Sequence, residues 1–459
     1  MSTHKAPKLL STSERAAALA AVRRKKATSS NDSAIFKAAE PRKRKAPSFS
    51  SLPGFQEMRI QRAAADLLGV DNPFFRAHDA RAAATTLIDG QEYLNFASYD
   101  YVGLNGHPEV VAAAKQAADH YGLSASASRV VAGERPIHSE LEAKLARLHG
   151  VEDAVAFVSG HATNVSAIGQ LMQPNDLILH DAYIHNSIVT GAKLAGAVRQ
   201  AFPHNDLEAL ENLLASRAHN HERVLIVVEG VYSMDGDYPN LKRLIDIKER
   251  YGAWLMVDEA HSIGILGEKG RGLAEHFHED PKKVDIWMGT FSKTLASCGG
   301  YIAGSKDMVE YLKFTASGFV FSVGLSPVLA AGVSKAIDVM EREPERVVMA
   351  QANGAYFLAE AKTAGLDTGV SQGCAVVPIM IGDSLKATVI AAKLLEEGVN
   401  VLPIIYPAVP EKASRLRFFI TSEHSKDQLD TAIRALRKTL DDYDANPISI
   451  EHLATMMAG

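Results

Sequence analysis

An α/β protein built on a mainly parallel, seven-stranded sheet is expected from three features of the sequence. A chain of 459 residues, 47% hydrophobic and 22% charged, buries a large core and leaves room for a smaller domain beside it. Beyond Gly150, short apolar runs at 154–158, 177–180, 198–202, 224–228, 254–257, 284–288 and 301–303 alternate with stretches of helical spacing. Small and polar residues follow several of these runs directly. Strand and helix in alternation imply a sheet covered on both faces, and such sheets bind ligands at the carboxyl ends of their strands.

Residues 1–50 read as a basic tail, with twelve Lys or Arg against three Asp or Glu and clusters at Arg23-Arg24-Lys25-Lys26 and Arg42-Lys43-Arg44-Lys45. Such a tail is expected to be a solvated flexible arm, weakly helical at 12–21. Its basic, Ser-rich, acid-poor composition also suits organelle targeting, but it lacks the apolar core of a secretory signal. Residues 51–105 form an N-terminal lead-in segment, with a helix at 55–68 ended by Asn72-Pro73 and a short strand at 92–96. Residues 106–340 form the large domain, opening with helices at 108–120 and 135–149 around a small-residue loop at 126–133. Residues 341–459 form a smaller α/β domain, with helices at 346–364, 385–397 and 426–442 and strands at 375–381 and 417–421. No apolar run approaches membrane-spanning length. Cys298 and Cys374 are too few and too far apart for a disulfide framework or a Cys-rich metal site, which fits a reducing cytoplasm.

The most informative stretch is Gly289-Thr290-Phe291-Ser292-Lys293, followed by Gly299-Gly300. A lysine held in a crevice has a lowered pKa and forms an imine with an aldehyde cofactor, while Thr290 and Ser292 suit a phosphate. Taken alone, the stretch fits a loop lysine among small polar residues equally well. Ser159-Gly160-His161 opens a helix whose free N–H groups suit a phosphate. His185 offers a flat ring, although a packed or capping histidine is the commoner case, and Asp258 ends a strand unless it merely caps the next helix. Together, a carboxylate, a flat imidazole, a helix N-terminus and an imine-forming lysine are the parts that pyridoxal 5'-phosphate (PLP) requires, with Asp258 keeping the ring nitrogen protonated. His276 and His278 read as a polar helix end rather than a zinc site. Gly264, Gly267 and Gly270 lack the Gly-Lys-Ser/Thr ending of a nucleotide-binding loop. Neither a metal nor a nucleic-acid partner is expected.

Several motifs then carry a family resemblance in order: Ser159-Gly160 with Asn164, Asp181 with His185, His204-Asn205-Asp206, Glu229-Gly230-Val231-Tyr232-Ser233-Met234-Asp235-Gly236, Asp258-Glu259-Ala260-His261, Gly270-Arg271-Gly272, the Lys293 stretch, and Arg415-Leu416-Arg417. Over roughly residues 55–440 the chain resembles the α-oxoamine synthases, a group within the fold-type I, aspartate-aminotransferase-like PLP enzymes. The resemblance implies that Lys293 holds the cofactor and moves the substrate's α-proton, that His185 stacks on its ring, and that Asp258 binds its nitrogen. It implies that His261 and Ser233 lie near the ring oxygen, and that Ser159, Thr290, Ser292 and the backbone of Gly160 and His161 serve the phosphate. Ser322 would reach the phosphate of the partner subunit in a homodimer with shared sites, and Arg417 would fix the amino-acid carboxylate.

The implied activity is decarboxylative condensation of an amino acid with an acyl thioester, carried by coenzyme A or a carrier protein, giving an α-amino ketone. Within the family, residues 95–101, 258–264 and 299–302 look most like the serine palmitoyltransferases of sphingolipid biosynthesis. Tyr99 stands where the alanine-using synthases usually have asparagine, which favours serine. Asp100, in place of a frequent asparagine, and the basic tail depart from the pattern. Synthases using alanine or glycine, such as 8-amino-7-oxononanoate synthase, an aminotransferase or lyase, and a non-catalytic partner subunit remain as alternatives; the intact Lys293, Asp258 and His185 argue against the last. The basic tail would suit an acidic acyl carrier protein or an anionic membrane surface.

Overall fold

The computed structural model describes residues 46–56, 58, 59, 62 and 72–447. The helices expected at 12–21 and over most of 55–68 lie outside the described residues, as does nearly all of the basic tail. The chain divides into two compact units, 1–61 and 62–459. In the first, a 3-10 turn spans Phe49–Ser51, with the Ser48 hydroxyl accepting from the Ser50 amide at 3.2 Å. The second holds all of the sheets.

The second unit opens with a hairpin of β1 (Thr85–Ile88) and β2 (Gln91–Asn95). Between the strands, Asp89 and Gly90 both take positive φ, the conformation that a two-residue Asp-Gly turn needs. The central sheet follows: β3 (Asp153–Phe157), β4 (Leu177–Asp181), β5 (Val198–Phe202), β6 (Val224–Glu229), β7 (Trp254–Asp258), β8 (Ile286–Thr290) and β9 (Gly300–Gly304), in the order β3-β9-β8-β7-β6-β4-β5. All seven apolar runs are strands, displaced by at most two residues from their expected starts. Six strands run one way and β9 runs against both of its neighbours. The reversal has a simple cause: a nine-residue loop without a helix joins β8 to β9, and so short a connection returns antiparallel.

Successive side chains of the sheet point to opposite faces. On one face Val155, Leu225, Val227, Met256, Met288 and Ile302 pack with Ile168 and Ile188 of helices Gly160–Leu171 and Asn186–Ala195. On the other, Ala156, Ile226, Val228, Leu255, Val257 and Trp287 pack with Leu141, Leu244 and Val333. All six residues of β6 are buried, as a central parallel strand covered on both sides requires.

Towards the C-terminus come β10 (Val376–Gly382), β11 (Val399–Asn400), β12 (Leu402–Ile404) and β13 (Ser414–Phe419). The strand expected at 417–421 therefore begins and ends earlier. Strands β10, β13 and β12 form an antiparallel sheet whose core includes Phe357, Leu394, Phe418 and Leu436 from the strands and flanking helices. Phe96 joins that core, and β11 pairs in parallel with β2, so the lead-in segment is stitched to the C-terminal part of the chain. The loop expected at 126–133 contains a π-helical turn, Arg129–Gly133, held by Arg129 against Glu134 and Glu142. Among the described residues no helix is long and apolar enough to cross a membrane.

A cavity of about 450 Å³ opens at the amino ends of the parallel strands, between Trp254, Val284, Ile286, Met308 and Tyr311. Ser159, Asp181, Glu229, Asp258 and Thr290 lie at the opposite, carboxyl rim, each at or just past the end of a strand.

Candidate active site

Lys293 leaves β8 three residues beyond its last strand position, in a loop pinned at its base. Phe291 N donates to Gly299 O at 2.9 Å, and Thr290 Oγ1 donates to the same carbonyl at 2.9 Å. Gly299 (φ +131) and Gly300 allow this closeness; a Cβ on Gly300 would sit 2.7 Å from Thr163 Oγ1. Ser159 ends the loop after β3 and caps helix Gly160–Leu171, accepting from Ala162 N at 3.3 Å. Gly160 abuts Thr290, whose Oγ1 would lie 2.7 Å from a Cβ there. The helix N-terminus and the Thr290–Ser292 hydroxyl pair, 3.2 Å apart, thus form one polar rim. His161 is exposed, its ring centre 6.3 Å from that of His185.

Asp258 ends β7, and His185 follows β4. They are linked through two intermediaries: Asn164 Nδ2 donates to Asp258 Oδ2 and to Ser187 Oγ, each at 2.9 Å, and Ser187 Oγ lies 2.7 Å from His185 Nδ1. His185 Nδ1 also accepts from Ser187 N at 3.3 Å, so the ring is held at one nitrogen. Asp258 Oδ1 accepts from Ala260 N at 3.0 Å; residues 260–268 form turns rather than a helix, so the aspartate caps no helix here. Glu229, at the end of β6, accepts from His185 N at 2.7 Å and from Ser233 N at 3.3 Å.

Arg417 reaches this rim from β13. Its Nη1 donates to Ser233 O at 3.0 Å, and its guanidinium stacks 4.6 Å from the Phe419 ring centre. Its Nε is buried with no hydrogen-bond partner, and no carboxylate pairs with it among the described residues. The neighbouring Arg415, by contrast, pairs with Asp235 at 2.6 Å. Tyr99 closes the site from the lead-in segment: Lys293 Nζ lies 5.8 Å from its ring centre, and the ring meets Phe419 edge-on at 4.7 Å. His261 is buried, its Nδ1 2.7 Å from Tyr101 Oη.

Burial dominates the electrostatics. Desolvation lowers Lys293 to about 8, against the pull of Asp258 and Glu229 and with help from Arg417. Desolvation likewise lowers His185 and holds His261 well below the ordinary imidazole value, where Lys293 and Arg417 push the same way. Glu229 is raised to about 8, first by burial and then by the nearby charge of Asp258. The site therefore holds a poised amine, neutral imidazoles and an unpaired guanidinium.

The family model for class I and II aminotransferases matches residues 91–436. The 4-hydroxy-2,2'-bipyrrole-5-methanol synthase PigH of a Serratia species is 42% identical over 346 residues, 75% of this chain and 52% of PigH, so the chain spans about half the length of that relative. The 8-amino-7-oxononanoate synthase of Thermoanaerobacter pseudethanolicus is 37% identical over 353 residues, 77% of this chain and 89% of that protein. Among solved structures, serine palmitoyltransferase of Sphingomonas wittichii matches with a TM-score of 0.82 at 29% identity, covering 87% of this chain and 100% of that one. The chain belongs to the α-oxoamine synthases. These are PLP-dependent acyltransferases of fold type I within the class I and II aminotransferase family.

The side chains of this α-oxoamine synthase fit PLP: a poised amine, a buried carboxylate, a flat imidazole, and hydroxyls beside a helix N-terminus. Lys293, Asp258, His185, His261, Tyr99, Arg417, Ser233, Thr290, Ser292, Ser159, Gly160 and His161 all lie along the carboxyl rim. Ser322 stands apart. It follows helix Ser317–Val320, which is held by Ser128 and Ser166, and is hydrogen-bonded to none of these side chains among the described residues. Four further groups serve the synthase's site without having been assigned a part from the sequence: Asn164, Ser187, Glu229 and Tyr101. Asn164, Glu229 and Tyr101 fall inside the matched stretches; Ser187 carries no signal beyond its nearness in sequence to His185.

Proposed function

We propose that this synthase condenses serine with an acyl thioester, of coenzyme A or of a carrier protein, losing carbon dioxide to give an α-amino ketone. The observation that supports this most is Arg417, a half-buried guanidinium whose buried Nε has no hydrogen-bond partner and with which no carboxylate pairs among the described residues, beside the lysine of a PLP enzyme. A planar fork of donors suits the carboxylate of an amino acid. When bound, PLP supplies an electron sink for charge that develops at the substrate's α-carbon.

The chain's own groups have the following parts in this reading. Arg417 holds the substrate carboxylate; Lys293 takes the α-proton at its amine and returns one after carbon dioxide has left. Asp258 would accept from the cofactor's ring nitrogen, and His185 would stack on its ring. His261 and Ser233 attend the ring oxygen. Ser159, Thr290, Ser292 and the amides of Gly160 and His161 receive the phosphate, joined by Ser322 from a second copy in a homodimer. Residues 341–459 close over the large domain, 106–340, because the carboxylate-binding arginine belongs to the former. Tyr99, standing where the alanine-using synthases usually have asparagine, favours serine, the amino acid of the serine palmitoyltransferase reading. The two free cysteines and the absence of any membrane-crossing helix among the described residues are compatible with a cytoplasmic enzyme.

Alanine or glycine in place of serine is the second reading, favoured by the 37% identity to an 8-amino-7-oxononanoate synthase. A visible-absorbance titration of the holoenzyme with serine, alanine and glycine separates the two. Saturation with serine alone, followed by thiol and carbon dioxide release in equal amounts on adding thioester, is the expected result. A response to alanine or glycine alone replaces serine, and amino-group transfer without thiol release refutes the condensation.

A further inference from the structure

His204 has no part in the chemistry above, yet its ring is bracketed by two carboxylates. Its Nδ1 lies 2.9 Å from Asp181 Oδ1, at the end of β4, and its Nε2 lies 2.9 Å from Asp237 Oδ2, beyond β6. An ionised carboxylate only accepts, and a neutral imidazole has one N–H, so serving both partners takes the doubly protonated ring. Both carboxylates take further donors. Asp181 accepts from Tyr183 N and Asn205 N, each at 2.8 Å, and Asp237 Oδ2 accepts from Asn205 Nδ2 at 2.7 Å. Tyr183 stacks on the ring at 4.3 Å, and Tyr232 meets it edge-on at 4.5 Å.

The two carboxylates belong to different parts of the site. Asp181 anchors the turn that delivers His185. Asp237 closes the loop from Tyr232, whose amide donates to Asp237 O at 2.8 Å; within that loop Ser233 O receives Arg417, and Asp235 receives Arg415. We propose that His204 is a positioning residue whose imidazolium ties the His185 turn to the loop that seats Arg417, and so sets the distance between the cofactor-facing ring and the carboxylate-binding fork. This rests on the reading of the site as an amino-acid-binding synthase centre.

Burial by itself would lower the His204 pKa, but the bonds to Asp181 and Asp237 outweigh it and raise the value to about 10. The sign follows from linkage. With the folded value above the ordinary one of about 6.5, the tie is complete below that pH and is lost as pH rises through about 10. The titratable groups around the ring are Asp181, Asp237, Tyr183 and Tyr232, with Cys374 behind Asp237. Burial raises both Tyr232 and Cys374, so these two stay neutral near pH 8.

The test uses the holoenzyme with His204→Gln and Asp237→Asn. Serine affinity is read from the visible spectrum between pH 6 and 8.5, as a variant-to-wild-type ratio so that the amino acid's own titration cancels. His204→Gln should retain the PLP absorbance and weaken serine binding by about tenfold or more, the scale of a displaced binding group. Asp237→Asn removes one of the two carboxylates and returns the imidazole to the neutral range, so its ratio should worsen as pH rises from 6 to 8.5. Wild-type affinity in both variants overturns the proposal, as does a pH-independent loss that merely follows a lower melting temperature. A wild type that responds to no amino acid instead removes the reading beneath the proposal, and the proposal with it.

Discussion

At the scale of single residues, Lys293 is the group whose chemistry is most exposed to test. Desolvation holds it at about 8, so the fraction of free amine grows steeply across neutral pH. Cofactor-free protein is therefore expected to capture PLP faster as pH rises from 6 to 8.5, followed at the visible band, and Lys293→Ala should lose both that band and turnover. Retained turnover in the alanine variant would remove the lysine from the mechanism. Lys293, His185 and Asp258 were legible in the sequence because each lies within five residues after an apolar run, where a sheet of this kind places its ligands. Their supports were not. Asn164 meets Asp258 across 94 residues of chain, and His204 meets Asp237 across 33. No local pattern encodes such distances; only the packed fold brings these pairs together.

At the scale of elements, the seven central strands announce themselves because they are buried on both faces and so read as unbroken apolar runs. Strand β1 escaped because Thr-Thr-Leu-Ile is half-exposed and short, although the Asp89-Gly90 turn after it is a hairpin signal. The loop from Tyr232 to Asp237 depends on one glycine. Gly236 has φ +67, and a Cβ there would lie 1.8 Å from Val376 O on β10. Gly236→Ala must push the loop away from that strand and strain its own backbone, at a cost of about 2–4 kcal/mol. The melting temperature should fall, and on the proposed function serine affinity should fall with it, since the same loop carries Ser233. An unchanged melting temperature would mean that the loop has slack that the packing does not suggest.

At the scale of the whole molecule, the central sheet and the C-terminal antiparallel sheet are joined by charge as well as by packing. Arg415 and Asp235, both buried, pair at 2.6 Å although 180 residues separate them. Asp235→Ala leaves a guanidinium buried without its partner, which costs about 3–5 kcal/mol. Calorimetry should register that loss, and a midpoint within a degree of wild type would show the pair to be dispensable. The pairing of β2 with β11 was likewise hidden in the sequence, since two residues of strand at 399–400 give no periodicity to read.

The cavity between Trp254, Ile286 and Tyr311 lies at the amino ends of strands about five residues long, so roughly 17 Å of β-structure separates it from Lys293. An inhibitor search steered by concavity would land there, at the wrong end of the sheet. Compounds so found would leave amino-acid competition untouched and would reveal themselves by non-competitive kinetics. On the role proposed for Arg417, competitive compounds will be those that bring an anionic head to it.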